Sequence, residues 1–236
     1  RDCQRLMNTD RNSFAACMLA LGDTDAVVSG VTRAFSDTLE AYTRVIDPEP
    51  GKTVMGVMVV ITRGRTVFFA DTSIHERPDP ETLADIAETA ANFARRFGHE
   101  PRVAFLNAAS FGKRASARQQ ELSRAVEVLD TRRRMRREGA PDFEYDGEMS
   151  PLVALNAEHM RKLYPFCRLS GAANVLVMPG LHSAHIASTL LQELGGGTMI
   201  GPLMVGLTRS VQIVDTSASV NDLVTAAAMA AYASLR

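Results

Sequence analysis

This sequence lacks long apolar runs, and it has no marked excess of charge. No stretch approaches the ~20 apolar residues of a spanning helix, so no membrane association through such a helix is expected. Lys and Arg number 26 and Asp and Glu 27, leaving a net charge of −1. That balance implies no general attraction to nucleic acid or to an anionic membrane. Cysteine is scarce. Cys3, Cys17 and Cys167 are far apart and odd in number. They do not suit a disulfide framework, they lack the paired spacing of a zinc site, and they fit a reduced cytoplasmic compartment. An initiator Met is also missing. The opening "RDCQRLMNTDRN" has no signal-peptide pattern and reads as the middle of a longer protein.

The 236 residues, 46% hydrophobic and 22% charged, suffice for one large or two small soluble domains. Apolar strands alternate with helical patterns along the chain. "FAACMLAL" reads as helix, "DAVVSG" as a buried strand and "SDTLEAYTRVI" as helix up to the turn "DPEPG". "TVMGVMVVITRGRTVFFAD" reads as a hairpin. The spacing then predicts a helix with Asp79 as N-cap, Pro80 in the first turn and Gly98 at its stop. Its buried face is Leu83, Ile86, Ala87, Ala90, Phe93, Ala94 and Phe97. "PRVAFLN", "DFEYDG" and "ANVLVMPG" read as strands, while "SPLVALNAEHMRKL" and "SAHIASTLLQEL" read as single helices. The chain ends with the strand "VQIVD" and the small-residue helix "SVNDLVTAAAMAAYASL". Such alternation indicates an α/β fold with a mainly parallel sheet, whose ligands bind beyond the carboxyl ends of the strands.

Several motifs have both a functional and a plain reading. In "SFGKR", Ser110, the backbone at Gly112, Lys113 and Arg114 are suited to a phosphate; the alternative is a solvated loop. "LGGGTMIGP" would let a backbone approach a phosphate or a pantetheine chain, or is a simple helix stop and turn. His182 and His185 lack the further ligands of a metal site, and His185 is better placed to hydrogen-bond a ligand at a helix head. The five arginines of "DTRRRMRRE" read as a solvated helix face or a partner contact. Ser219 and Asp222 match the helix capping box, which explains Asp222 without catalysis.

The order of "LGDTDAVVSGVT", "SDTLEAYTRVI", "GHEPRVAFLNAAS", "ANVLVMPGL", "IGPLMVGL" and "VNDLV" resembles the phosphate acetyltransferase and butyryltransferase family. The resemblance runs from about Asp10 to the C-terminus. "RGRTVFFADTSIHERPDPETLADIA" and "LGGGTMIGP" look like the phosphotransacetylase-like C-terminal branch found in multidomain NADP-dependent malic enzymes. It implies two α/β subdomains with a cleft between them. Residues 50–201 would be inserted into a first subdomain made of 1–49 and 202–236, whose opening part is missing.

In active members a Ser-Arg-Gly turn follows the last strand, and an Asp in the next helix deprotonates the coenzyme A thiol. By resemblance that Asp falls on Asp222, the turn's Ser and Arg on Asp215 and Thr216, and two further arginines on Glu193 and Glu40. Loss of one electrostatic donor of this kind costs about 10²–10³ in rate, so turnover of acetyl phosphate is not expected. The resemblance implies instead a non-catalytic domain. Acetyl-CoA would bind as an allosteric inhibitor at Ser110, Gly112, Lys113, Arg114, Ser183, His185, Gly201, Pro202 and Thr216. NADP and a divalent metal would serve the malic enzyme domain of the parent chain, with no metal held here. That domain and a second copy of the chain, in at least a dimer, are the implied partners. An active phosphate acetyltransferase and a purely structural oligomerisation domain are the alternatives.

Overall fold

The computed structural model describes residues 2–62, 64–112, 117–135 and 140–235. Two compact units emerge, one of Arg1–Val54 with Ile200–Arg236, the other of Met55–Met199. The first unit opens with α1 (Asp2–Thr9), α2 (Arg11–Leu21), β1 (Ala26–Gly30) and α3 (Phe35–Thr43). The second holds β2 (Met55–Thr62), β3 (Arg65–Ala70), α4 (Pro80–Arg96), β4 (Arg102–Leu106), α5 (Ala117–Arg134) and β5 (Glu144–Met149). It continues through α6 (Pro151–Ala154), α7 (Ala157–Leu163), β6 (Val175–Val177) and α8 (Leu181–Leu194). The boundary falls within β7 (Thr198–Val205), after which β8 (Ser210–Val214) and α9 (Val220–Ser234) complete the first unit.

The strands of the second unit lie in the order β5-β4-β6-β3-β2, with β7 in sixth place. β3 pairs antiparallel with β2, and β3–β6, β6–β4 and β4–β5 are parallel. β6 is buried along its length, as a central parallel strand must be with both faces covered. Alternate residues divide between two layers. Met58, Val60, Val67, Phe69, Ala104, Leu106, Leu176 and Met178 pack with Val153, Ala154, Met160 and Ala184 of the helices. Phe68 points the other way and meets Phe93 of α4 edge to face, with centroids 6.0 Å apart. α4 starts where Asp79 accepts the Thr82 N–H at 2.8 Å, and Gly98 follows its end at φ 76°. Leu83, Ile86, Ala87, Ala90, Phe93 and Ala94 are buried as the periodicity predicts. Phe97 is not; it stands at the C-cap, 37% exposed, against Phe93 and Phe68.

Three sequence expectations need correction. "SPLVALNAEHMRKL" is two helices, because Asn156 turns inward on the backbone and caps α7 by accepting the His159 N–H. "LGGGTMIGP" is a turn only as far as Gly197; β7 then runs through Gly201 and Pro202. Nor is the arginine run only solvated. Arg132 bridges Asp85 and Glu88 of α4, and Arg133 donates to the Phe143 carbonyl while stacking over Tyr145. Arg136 and Arg137 lie outside the described residues.

In the first unit β1 and β8 pair in parallel, with Gly30 opposite Val214. A Cβ on Gly30 would stand 2.0 Å from the Val214 carbonyl oxygen, so only glycine fits there. Gln212 reaches sideways to β7, accepting the Met204 N–H and donating to the Met204 carbonyl. Ser29, Asn12 and Thr38 form a chain of side-chain hydrogen bonds beneath β1. Among the described residues no helix is long and apolar enough to cross a membrane.

Candidate functional site

In the second unit, three loops leave the carboxyl ends of adjoining parallel strands, where open α/β sheets bind ligands. The loop after β4 is held against β5. Asn107 donates through Nδ2 to Glu148 Oε2 at 2.7 Å, and Gly112 N–H donates to Glu148 Oε1 at 3.1 Å. Ser110 accepts the Ser150 N–H at 2.9 Å and donates its own hydroxyl hydrogen to Ser150 Oγ. A buried carboxylate therefore already occupies the Gly112 amide that the sequence reading gives to an anion. Phe111 between them has φ 47°, an uncommon conformation for a side-chain-bearing residue. Lys113 and Arg114 lie outside the described residues.

The loop after β3 closes on Asp71. Its carboxylate accepts the backbone N–H groups of Gly56, Ser73, Ile74 and His75 and the His75 ring at Nδ1, 2.7 Å away. Burial pushes the carboxyl up, yet the His75 ring and the N–H groups of Gly56, His75 and Ser73 outweigh it. The group is held below the ordinary carboxylate range. The His75 carbonyl accepts the Leu181 N–H at 2.9 Å, which ties this loop to the head of α8. Gly180 caps α8 without a side chain, and the Ser183 hydroxyl donates to the Gly180 carbonyl. His182 and His185 are exposed on the first turns. Glu193 is exposed in the last turn of α8.

Asp71, His75 and Glu148 escaped the sequence reading. An Asp and a His four apart directly after a strand, in "ADTSIH", were the available sign for the first two. Glu148 carried none, since its role depends on the loop after β4 folding against β5.

In the first unit, β1 and β8 end side by side. Val31 follows Gly30 at φ 66°, rare for a β-branched residue. Asp215 accepts from the Ser217 N–H and hydroxyl and from the Thr216 hydroxyl. Ser219 and Asp222 form the predicted capping box: Asp222 N–H donates to Ser219 Oγ at 3.2 Å, and Ser219 N–H donates to Asp222 Oδ2 at 2.8 Å. Gly201 is exposed, and Pro202 follows it in β7.

An NADP-dependent malic enzyme of Rhizobium meliloti is 57% identical over 98% of the chain, which spans 29% of that protein. A phosphate acetyltransferase of Bacillus subtilis is 31% identical over 91% of the chain and 64% of its own length. The structure of a phosphotransacetylase from Streptococcus pyogenes superposes with a TM-score of 0.86 at 27% identity, covering 97% of this chain and 68% of that one. The chain thus spans under a third of the malic enzyme and about two thirds of the acetyltransferase. A model of the phosphate acetyl/butaryl transferases matches residues 1–231, and the chain belongs to that family.

Proposed function

We propose that the chain is the phosphotransacetylase-like domain of a cytoplasmic NADP-dependent malic enzyme, and that it binds acetyl-CoA as a regulator without turning over acetyl phosphate. The observation that carries this reading is the 57% identity to a malic enzyme over 98% of the chain. Supporting it, Asp222 is engaged with Ser219, while Glu193 and Thr216 stand where the active family's resemblance implies arginine. A carboxylate at such a place repels an anionic acyl phosphate as well as failing to bind it.

In the second unit Ser110, Gly112, Ser183 and His185 would line the acetyl-CoA contacts, with Lys113 and Arg114 following in sequence. The Gly112 amide already serves Glu148, so Gly112 would contribute close backbone approach rather than its N–H. Gly201, Pro202 and Thr216 belong to the first unit and are tested by substitution on their own. NADP and a divalent metal would act in the malic enzyme domain of the longer protein, the domain this chain would inhibit. A second copy of the chain is the other proposed partner; Val220, Val224, Tyr232 and Leu235 leave α9 and its end with exposed apolar side chains. Calorimetric titration with acetyl-CoA, coenzyme A and acetyl phosphate tests the binding. Malate oxidation by the full-length protein with and without acetyl-CoA tests the regulation. Tight acetyl-CoA binding with inhibition supports the reading, and an unresponsive protein overturns it.

The 31% identity to a phosphate acetyltransferase favours a second reading, an active acyltransferase. Transfer from acetyl phosphate to coenzyme A at ordinary enzyme rates, on the order of 1–10³ per second, would establish it in place of the first.

A further inference from the structure

At the carboxyl end of β3 in the second unit, Asp71 and His75 form a polar pair, with Asp71 Oδ2 2.7 Å from His75 Nδ1. The Asp71 side chain is 2% exposed and accepts four backbone N–H groups besides the imidazole. A carboxylate surrounded by donors is ionised and acts only as an acceptor. His75 Nδ1 therefore carries the hydrogen that faces it. In the neutral ring this leaves Nε2 with a bare lone pair, a proton acceptor of fixed tautomer. The His75 side chain is 25% exposed, so the ring is not sealed in the core. Its carbonyl holds the Leu181 N–H, which sets the residue beside the turn bearing His182, Ser183 and His185.

We propose that His75 is a further residue of the coenzyme A site: Nε2 accepts the proton of the free coenzyme A thiol, with Asp71 as its positioning residue. The inference rests on the acetyl-CoA reading and deepens it. The S–H electron pair stays on sulfur as the proton moves to Nε2, and the imidazolium so formed lies against the Asp71 carboxylate. Acetyl-CoA has no S–H to give. The pair thus distinguishes the free thiol from the thioester. A loop-stapling role alone would make no such distinction.

The test is calorimetric titration of the full chain near neutral pH with coenzyme A, acetyl-CoA and desulfo-coenzyme A. His75→Ala and His75→Gln are compared with wild type after thermal melts show that each is folded. Loss of one such hydrogen bond should weaken coenzyme A about threefold to tenfold in both variants. Acetyl-CoA and desulfo-coenzyme A should change less than about twofold. Equal weakening of all three ligands, or no weakening of coenzyme A, overturns this inference while leaving the acetyl-CoA reading standing. Absence of wild-type binding to any of the three overturns both. ¹⁵N NMR of the ligand-free chain gives an independent check on the ring. A His75 protonated at Nε2 and bare at Nδ1 would refute the tautomer on which the inference depends.

Discussion

Ser219 and Asp222 satisfy each other and two helix-terminal N–H groups, so the loss of either is felt in the folded chain before any ligand is present. Asp222→Ala should lower stability by about 0.5–2 kcal/mol in thermal or urea melts. Asp222→Asn keeps an acceptor and should fall at the lower end, with acetyl-CoA affinity unchanged. A marked change in preference between coenzyme A and acetyl-CoA without destabilisation would return Asp222 to a chemical role. Asp71 makes a pH-dependent contribution. Its folded-state value is depressed, so the stability it adds is present above the unfolded carboxylate value of about 3.9 and is lost as pH falls through the folded one. Asp10 and Asp79 are depressed too and share this acid limb. Asp71→Asn should cost about 1–3 kcal/mol near neutrality, and its stability curve should converge on the wild type in acid. Parallel curves would show that the Asp71 charge contributes nothing. The cysteines differ by burial. Burial pushes the Cys167 thiol up to about 11, whereas Cys3 is exposed. Thiolate is the reactive form, so iodoacetamide on the folded chain should alkylate Cys3 well before Cys167, as read by peptide mass mapping.

Among the elements, α4 was the most legible in sequence, and its apolar face is buried as far as Ala94. Asp79, Pro80 and Gly98 mark its ends by local chemistry, and seven apolar residues at helical spacing mark its face. Leu83→Ala or Ile86→Ala should cost about 2–5 kcal/mol, measured by urea unfolding, because both side chains are fully buried. A loss below ~1 kcal/mol would mean that the layer between α4 and the sheet collapses to fill the gap. β7 and the α6–α7 break were not legible. Gly and Pro in "GGGTMIGP" speak for a turn locally, yet Gln212 of β8 supplies a side-chain amide that pairs with the Met204 backbone. Asn156 sits inside a plausible helical pattern and ends it only because its side chain captures the His159 N–H. Propensity weighs each residue alone, and these two outcomes were set by partners.

On the scale of the whole molecule, ligand binding and stability are linked by mass action. Acetyl-CoA at a hundred times its dissociation constant should add about 2.7 kcal/mol to folded-state stability, seen as a rise in melting temperature that grows with ligand concentration. An unchanged melt at saturating acetyl-CoA would count against the proposed regulator. By itself the sequence determined the α/β class, the mainly parallel sheet, the ends and face of α4, the capping box at Ser219 and the family, because each rests on residues near one another in the chain or on the order of motifs along it. Tertiary structure decided what the carboxylates do. Glu148 is a loop clasp only where β4 and β5 exits meet, and Arg132 is a tie only where α5 lies on α4. Asp71 is set four residues from His75, but its charge is fixed by the Gly56 amide, 15 residues back along the paired strand, as well as by its own loop. A carboxylate's role follows from the donors around it, and burial at the end of a sheet gathers those donors from parts of the chain that no local pattern joins.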